Sequence, residues 1–269
     1  MAMIEFLERL PLWLLAIVLN AWLMGIVLVG LWIFRRHVLP RLQVNFNNAY
    51  YVAPLVQTSM LLYSMIAALT AVGAWTRYSD VSHVVSAEAT AITTLWRDLG
   101  GYPEPLAGSM REVLRGYTDQ VIHGAWPQLQ RGQIPREGVE WMDRLQGLLY
   151  AFEPATEGQK ILHGETLRAF NHLVEQRRQR LDAAQARLPG VLWFVLLAGA
   201  SAGLTMGLFF YIENARLQAC MLLGLAASLS MVLLVICALD TPYTGEISIG
   251  PDSYQLIYDQ HMTGAPGSG

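Results

Sequence analysis

Apolar and polar positions along the chain separate it into membrane-like and water-like blocks. Four stretches, residues 10–34, 51–74, 191–212 and 217–239, are apolar on every side. Each is long enough for a helix rising 1.5 Å per residue to cross about 30 Å of hydrocarbon. A helix without a polar face gains nothing from water, so these stretches are predicted to span a membrane. Their ends carry Trp13, Trp32, Trp75, Tyr78, Trp193 and Tyr211, with Arg35, Arg36, Arg77 and Arg216 nearby. Aromatic rings and cations of this kind settle where lipid meets water. Asn20 is the polar group deep in the first stretch, and it is expected to hydrogen-bond a neighbouring helix.

Residues 76–188 have a different pattern. Val81, Val84, Val85, Glu88, Ile92, Leu95 and Leu99 recur at three and four residues with no breaker before Gly100, so a helix is predicted to continue from the second span. Breakers follow at Gly100, Gly101, Pro103 and Pro105, again between Gly132 and Pro135, and at Pro154. Four or five helices fit between them. The last is predicted over 156–188, with Phe170, Val174, Leu181, Ala184 and Leu188 forming its apolar stripe and Arg177, Arg178, Arg180 and Arg187 lying around it. The predicted fold class is all-α: a polytopic membrane protein with four transmembrane helices and a helical soluble domain inserted between spans 2 and 3. Its expected parts are 1–75 (spans 1 and 2), 76–188 (soluble domain), 189–240 (spans 3 and 4) and 241–269 (C-terminal tail). The Gly, Ala, Pro and Ser of 264–269 read as a disordered terminus.

Composition agrees: 54% of residues are hydrophobic and 14% charged, and the mean hydropathy is +0.34. A net charge of −3 supplies no concentrated basic surface, which excludes nucleic acid as the expected partner. Nearly all the bases are arginine, Lys160 being the sole lysine, as in a GC-rich bacterial genome. Cys220 and Cys237 lie in one apolar helix, too far apart for a disulfide, and are expected as small buried hydrophobes. The N-terminal run lacks a basic flank and a small-residue cleavage site, so it is expected to stay as the first span. Charge counting leaves orientation open. Arg35, Arg36 and Arg41 pull one loop toward the cytoplasm, while Arg177, Arg178, Arg180 and Arg187 pull the opposite side.

No nucleophile elbow, zinc helix, Cys-x-x-Cys pair or glycine-rich phosphate loop occurs, so no enzyme, cofactor or metal is expected. Asp80 with His83 and Asp119 with His123 read as solvated helix-surface pairs. Glu88 stands in an apolar stripe and requires a partner: an arginine of the last soluble helix in a structural ion pair, or else a ligand-binding or gating role. Gly199, Gly203 and Gly207 strip one face of the third span and predict close helix packing, within the subunit or between subunits. Ser59, Tyr63, Ile66, Ala67 and Thr70 share one side of the second span without a charge. They are candidates to line a weakly polar pore, or else ordinary packing residues.

Several of these residues carry a family resemblance. The run from Trp75, Arg77 and Tyr78 to Glu88, Ala89, Leu95, Trp96 and Arg97 resembles the start of the soluble segment in the bestrophin-like domain family of bacterial membrane proteins. So do Arg180-Leu181 ahead of Leu188-Pro189 and Trp193, and the run Asp240, Pro242, Tyr243, Gly245, Glu246 after the fourth span. The resemblance covers about residues 45 to 255. Bestrophins are pentameric anion channels with four spans per subunit, a cytosolic helical domain and a pore lined by the second span. The resemblance therefore implies a homo-oligomeric, pentameric ion channel in a bacterial inner membrane, its soluble domain cytoplasmic, with lipid, ions and its own copies as partners. Where bestrophins place calcium-binding acidic residues, this sequence has Glu246 and Asp252 alone, and a Pro-Gly turn is expected instead. Of the bestrophin aromatic neck, Tyr63 is the lone counterpart. The competing reading is a non-conducting membrane-anchored sensor or scaffold whose helical domain binds a ligand or partner.

Overall fold

The apolar stretches are helices in the computed structural model, which describes residues 11–42, 49–135, 138–210 and 212–263. The start of the first predicted span at Leu10, the interfacial Tyr211 and the terminus 264–269 lie outside the described residues. The helices are α1 (Leu12–Ile33), α2 (Ala49–Leu99), α3 (Leu106–Gln120), α4 (Val139–Tyr150), α5 (Glu157–Gln185), α6 (Gly190–Gly207), α7 (Ala215–Asp240) and α8 (Asp252–Ile257). A π turn at Phe34–Val38 and a further helical turn at Leu39–Leu42 extend α1, and short turns at Val121–Ala125, Trp126–Gln130 and Tyr258–Met262 complete the described residues. No strand forms among them, and the fold is all-α. Four helices are long and apolar enough to cross a membrane, within Leu12–Arg41, Ala53–Leu99, Glu157–Gly207 and Ala215–Asp240.

The chain divides into two compact units. The first takes residues up to 78, 187–241 and 245–247. In α1, Leu15, Leu19, Leu23, Val27 and Leu31 recur every four residues and form one buried stripe that packs against α6 and α7. The outer faces are equally apolar. Val191, Phe194 and Met231 are each about 70% exposed (72%, 72% and 68%). Burial of side chains this size is worth roughly 1.5–3 kcal/mol each in water, so the solvent on that surface is lipid. Asn20 donates to Ala16 O of its own helix at 3.0 Å, not to a neighbour. Internal bonding of this kind suffices where no water competes. No disulfide joins the cysteines: Cys237 is buried, whereas Cys220, seventeen positions earlier on the same helix, faces outward.

Close packing in the first unit runs through the α6 glycines. A Cβ on Gly199 would stand 2.5 Å from Cδ2 of Tyr63, and one on Gly203 would overlap the end of Met60. One on Gly207 would meet Leu222 of α7 at 2.8 Å. Without side chains on this face, α6 lies against α2 and α7 with ring and thioether seated on its backbone.

The second unit takes residues 79–186, 242–244 and 248 onward. Its helices are amphipathic. Val81, Val85, Ile92, Leu95 and Leu99 of α2 meet Met110, Leu114 and Tyr117 of α3, Leu145 and Leu149 of α4, and Phe170 and Leu173 of α5. Pro154 ends the preceding turn, and Thr156 starts α5 with a reciprocal cap: its Oγ1 accepts from Gln159 N while the Gln159 side chain accepts from Thr156 N. The buried stripe of α5 is Thr166, Phe170, Leu173, Gln176 and Arg180. Val174, predicted inside, is half exposed, and Arg180, predicted around the edge, is buried, because a charge in the core draws it inward. Residues after α7, expected as a tail, return to this core: Trp126 Nε1 donates to Ile249 O, and the Trp126 ring lies 5.7 Å from Tyr243 and 5.6 Å from Tyr254.

Replacing Gly199 by Val drives two methyl groups into the Tyr63 ring and is expected to lower stability by about 1–3 kcal/mol. Gly224→Ala, whose new Cβ meets nothing within 4 Å, should leave it unchanged. Thermal unfolding of the two variants in detergent measures the difference.

Candidate functional site

Glu88 is fully buried, one helical turn from Val85 and Ile92. Its partner is Arg180, whose Nε donates to Glu88 Oε2 at 2.6 Å and whose Nη2 donates to Oε1 at 3.4 Å. Two phenols complete the shell. Tyr117 donates to Oε1 at 2.6 Å and Tyr254 to Oε2 at 3.1 Å, while Tyr243 donates to the Arg180 carbonyl at 3.4 Å. Burial raises the pKa of Tyr117 and Tyr254, and the Glu88 charge raises it further. Burial likewise raises Tyr243. Burial alone would lower Arg180, but the Glu88 carboxylate reverses this and holds the guanidinium well above its ordinary range. These donors come from α3, α5 and α8, so the carboxylate ties those helices to α2.

A second cluster is built on Asp240, the last residue of α7 and 2% exposed. Its Oδ1 accepts from Leu188 N at 2.8 Å and from Arg77 Nη1 at 3.2 Å, and its Oδ2 accepts from Trp193 Nε1 at 3.2 Å. A carboxylate at a helix C-terminus opposes the helix dipole. Arg77 offsets that charge, and Leu188 N, freed by the turn before Pro189, gains an acceptor.

The second-span candidates divide. Tyr63, Ala67 and Thr70 are buried inside the first unit, with the Thr70 hydroxyl bonded to Ile66 O at 2.8 Å. Ser59 is half-buried and Ile66 exposed. Directly across the helix from Tyr63, Ala67 and Thr70 lies an open apolar face of Leu61, Met65, Leu69 and Val72. This face carries no hydroxyl, so nothing in the sequence sets it apart from an ordinary apolar helix face. In the sequence Asp240 stands out only within the run that carries the family resemblance, Arg77 stands out there and as a cation at a span end, and Tyr117 and Tyr254 carry no signal, since a tyrosine in an apolar stripe reads as core.

Calcium does not fit the turn after α7. Asp240 spends its oxygens on protein donors, and Ile249 N closes the turn on Pro242 O at 2.8 Å with Gly245 at φ +86°. Among the described residues no group of three His, Cys, Asp or Glu side chains is arranged to hold a metal ion. Asp119 and His123 form an exposed pair at 3.0 Å.

The model of the Bestrophin-like domain family matches residues 21–254. The chain is similar in fold to a crystal structure of a bacterial bestrophin homologue from Klebsiella pneumoniae carrying one substitution. The TM-score is 0.68 at 10% identity, over 91% of this chain and 98% of that one. A second substituted form of the Klebsiella pneumoniae homologue gives 0.65 at 11% identity over the same shares. A further crystallised membrane protein gives 0.66 at 11% identity over 92% of this chain and 99% of that one. No curated protein matches.

Glu88→Gln removes the charge that faces buried Arg180, and a loss of about 3–5 kcal/mol is expected. The Glu88→Leu/Arg180→Met double variant should lose less than either single change, which denaturant unfolding in detergent measures. The three raised phenols also set an alkaline limit. Above pH about 10 the unfolded tyrosines ionise while the folded ones stay protonated, so the folded state binds more protons and stability falls as pH rises. Tyr254→Phe should flatten that fall in unfolding curves taken between pH 8 and 11.

Proposed function

The chain belongs to the Bestrophin-like domain family, and from that premise we propose that it is a pentameric, anion-conducting channel of a bacterial inner membrane, with α2 lining the pore. The family match over residues 21–254 carries this reading. The open face of α2 supports it: Leu61, Met65, Leu69 and Val72 are large, apolar and more than half exposed. Around a symmetry axis such a face makes an apolar constriction, which conducts when wetted and closes when it dries. Ile66 sits at its margin, while Ser59, Tyr63, Ala67 and Thr70 stand behind it, with Tyr63 steadying α2 against α6. Gly199 and Gly203 thus serve packing within the subunit.

In this reading the soluble domain is cytoplasmic. The conflict with charge counting is then smaller than the sequence suggests, because Arg35 is engaged inside its own unit: its Nη2 donates to Ile212 O and to Gln218 Oε1, both at 2.7 Å. No catalytic role is proposed.

Native mass spectrometry of the detergent-purified protein is expected to give a discrete pentamer, and liposomes carrying it to release chloride. Leu69→Ser should raise that flux severalfold by easing wetting. Tyr63→Phe should not change it, since the buried Tyr63 hydroxyl has no hydrogen-bond partner among the described residues. A monomer or dimer, or liposomes no leakier than empty ones, would overturn the channel and favour the membrane-anchored sensor or scaffold.

A further inference from the structure

From Arg9 to Ser79 the sequence contains no aspartate or glutamate, yet it places Arg35, Arg36, His37 and Arg41 at the end of the first span. The structure shows what becomes of these cations. Arg35 reaches the α6–α7 turn and binds Ile212 O and Gln218 Oε1, and Gln218 in turn donates to Leu208 O and Phe210 O. Arg35 therefore belongs to the bundle, and the α6–α7 turn lies at the same end of the first unit. That turn adds Arg216 and one carboxylate, Glu213, both exposed. Four arginines against one glutamate leave this end strongly positive.

Arg36 and His37 are arranged differently. The π turn Phe34–Val38 widens the helix just past Trp32, so that positions four and five residues on flank that side chain, where a regular helix would carry the fifth well away. The Arg36 guanidinium stands 5.7 Å from the Trp32 ring centroid. The His37 ring packs edge-on at 6.0 Å. Trp32 itself is 59% exposed, and Arg36 and His37 are exposed with no hydrogen bond or ion pair to a described residue. The ring orders the guanidinium by cation–π contact while leaving its N–H groups open. At the end of a membrane-length apolar helix, an exposed indole suits the depth where acyl chains give way to headgroups.

We propose that Trp32, Arg36 and His37 form a binding site for the phosphate of an anionic phospholipid, the lipid glycerol backbone and upper acyl chain lying along Trp32. A membrane lipid is the occupant because the site stands at the end of a bilayer-length apolar helix and joins an apolar ring to a cation. The surrounding excess of arginine selects a net negative headgroup over a zwitterionic one. The inference is independent of conduction, since it needs one subunit and one leaflet.

The test uses the full chain in detergent, titrated with phosphatidylglycerol or phosphatidylcholine and read by native mass spectrometry. Phosphatidylglycerol adducts are expected to outnumber phosphatidylcholine adducts. Arg36→Gln should weaken phosphatidylglycerol retention about fivefold, the effect of removing one cation near a membrane surface. Trp32→Leu should weaken it too. Arg36→Lys should retain most binding, and Arg168→Gln, in the second unit, all of it. Unfolding temperatures equal to that of the parent chain exclude misfolding as the cause. Equal adducts of the two lipids, or no change in Arg36→Gln, would overturn the proposal. Displacement of the lipid by millimolar inorganic phosphate would also overturn it, by assigning the site to a free anion.

Discussion

A carboxylate with no access to water organises the second unit. Glu88 accepts from a guanidinium and two phenols, and these donors come from α3, α5 and α8. Each helix could bury its own apolar stripe in several registers, because hydrophobic contact is non-directional. A buried charge allows much less latitude, since a donor displaced by one residue leaves Glu88 exposed to the full cost of desolvation. The ion pair thus fixes which helices meet and at what rotation, and the leucines fill the space so defined.

Asp240 plays the corresponding part in the first unit with a different economy of residues. It joins the end of α7 to the start of α6 and to α2, through a backbone N–H, an indole and a guanidinium. The short runs that carry the family resemblance are the runs that meet in these two clusters: Arg77, Leu188, Trp193 and Asp240 in one, Glu88, Arg180 and Tyr243 in the other. Scattered along the sequence they are weak signals. They gain specificity in combination because each is the polar complement of another.

The all-helical fold and its spans were legible in the sequence because lipid leaves few choices: a long apolar run without a polar face has to be a helix. The unbroken passage of α2 to Leu99 could be read from the missing breaker before Gly100, and the need of Glu88 for a partner followed from its place among valines and isoleucines. Which arginine answers it could not be read, since Arg177, Arg178, Arg180 and Arg187 lie within three turns and only tertiary rotation separates them. The same limit applies to α2, where helical spacing identifies a face but not whether that face turns inward. A hydroxyl-bearing side looks suited to a pore, yet Tyr63 lies against α6 and Thr70 is buried within the first unit. The return of residues 248–263 to the core was illegible for another reason. Its anchors, Tyr254 and Ile249, lie in a segment too short to display a period.

That return has a consequence for the order of assembly. Chains are made from the N-terminus at roughly 5–20 residues per second, and domains fold as they emerge. The helices supplying Tyr117 and Arg180 are complete long before Tyr254 exists, so Glu88 lacks one of its phenols, and Trp126 both of its aromatic neighbours, Tyr243 and Tyr254, while α6 and α7 are still being synthesised and delivered to the bilayer. The second unit therefore has to wait, nearly assembled, with a polar opening at its centre. Its closure reports that every apolar helix of the chain has been made.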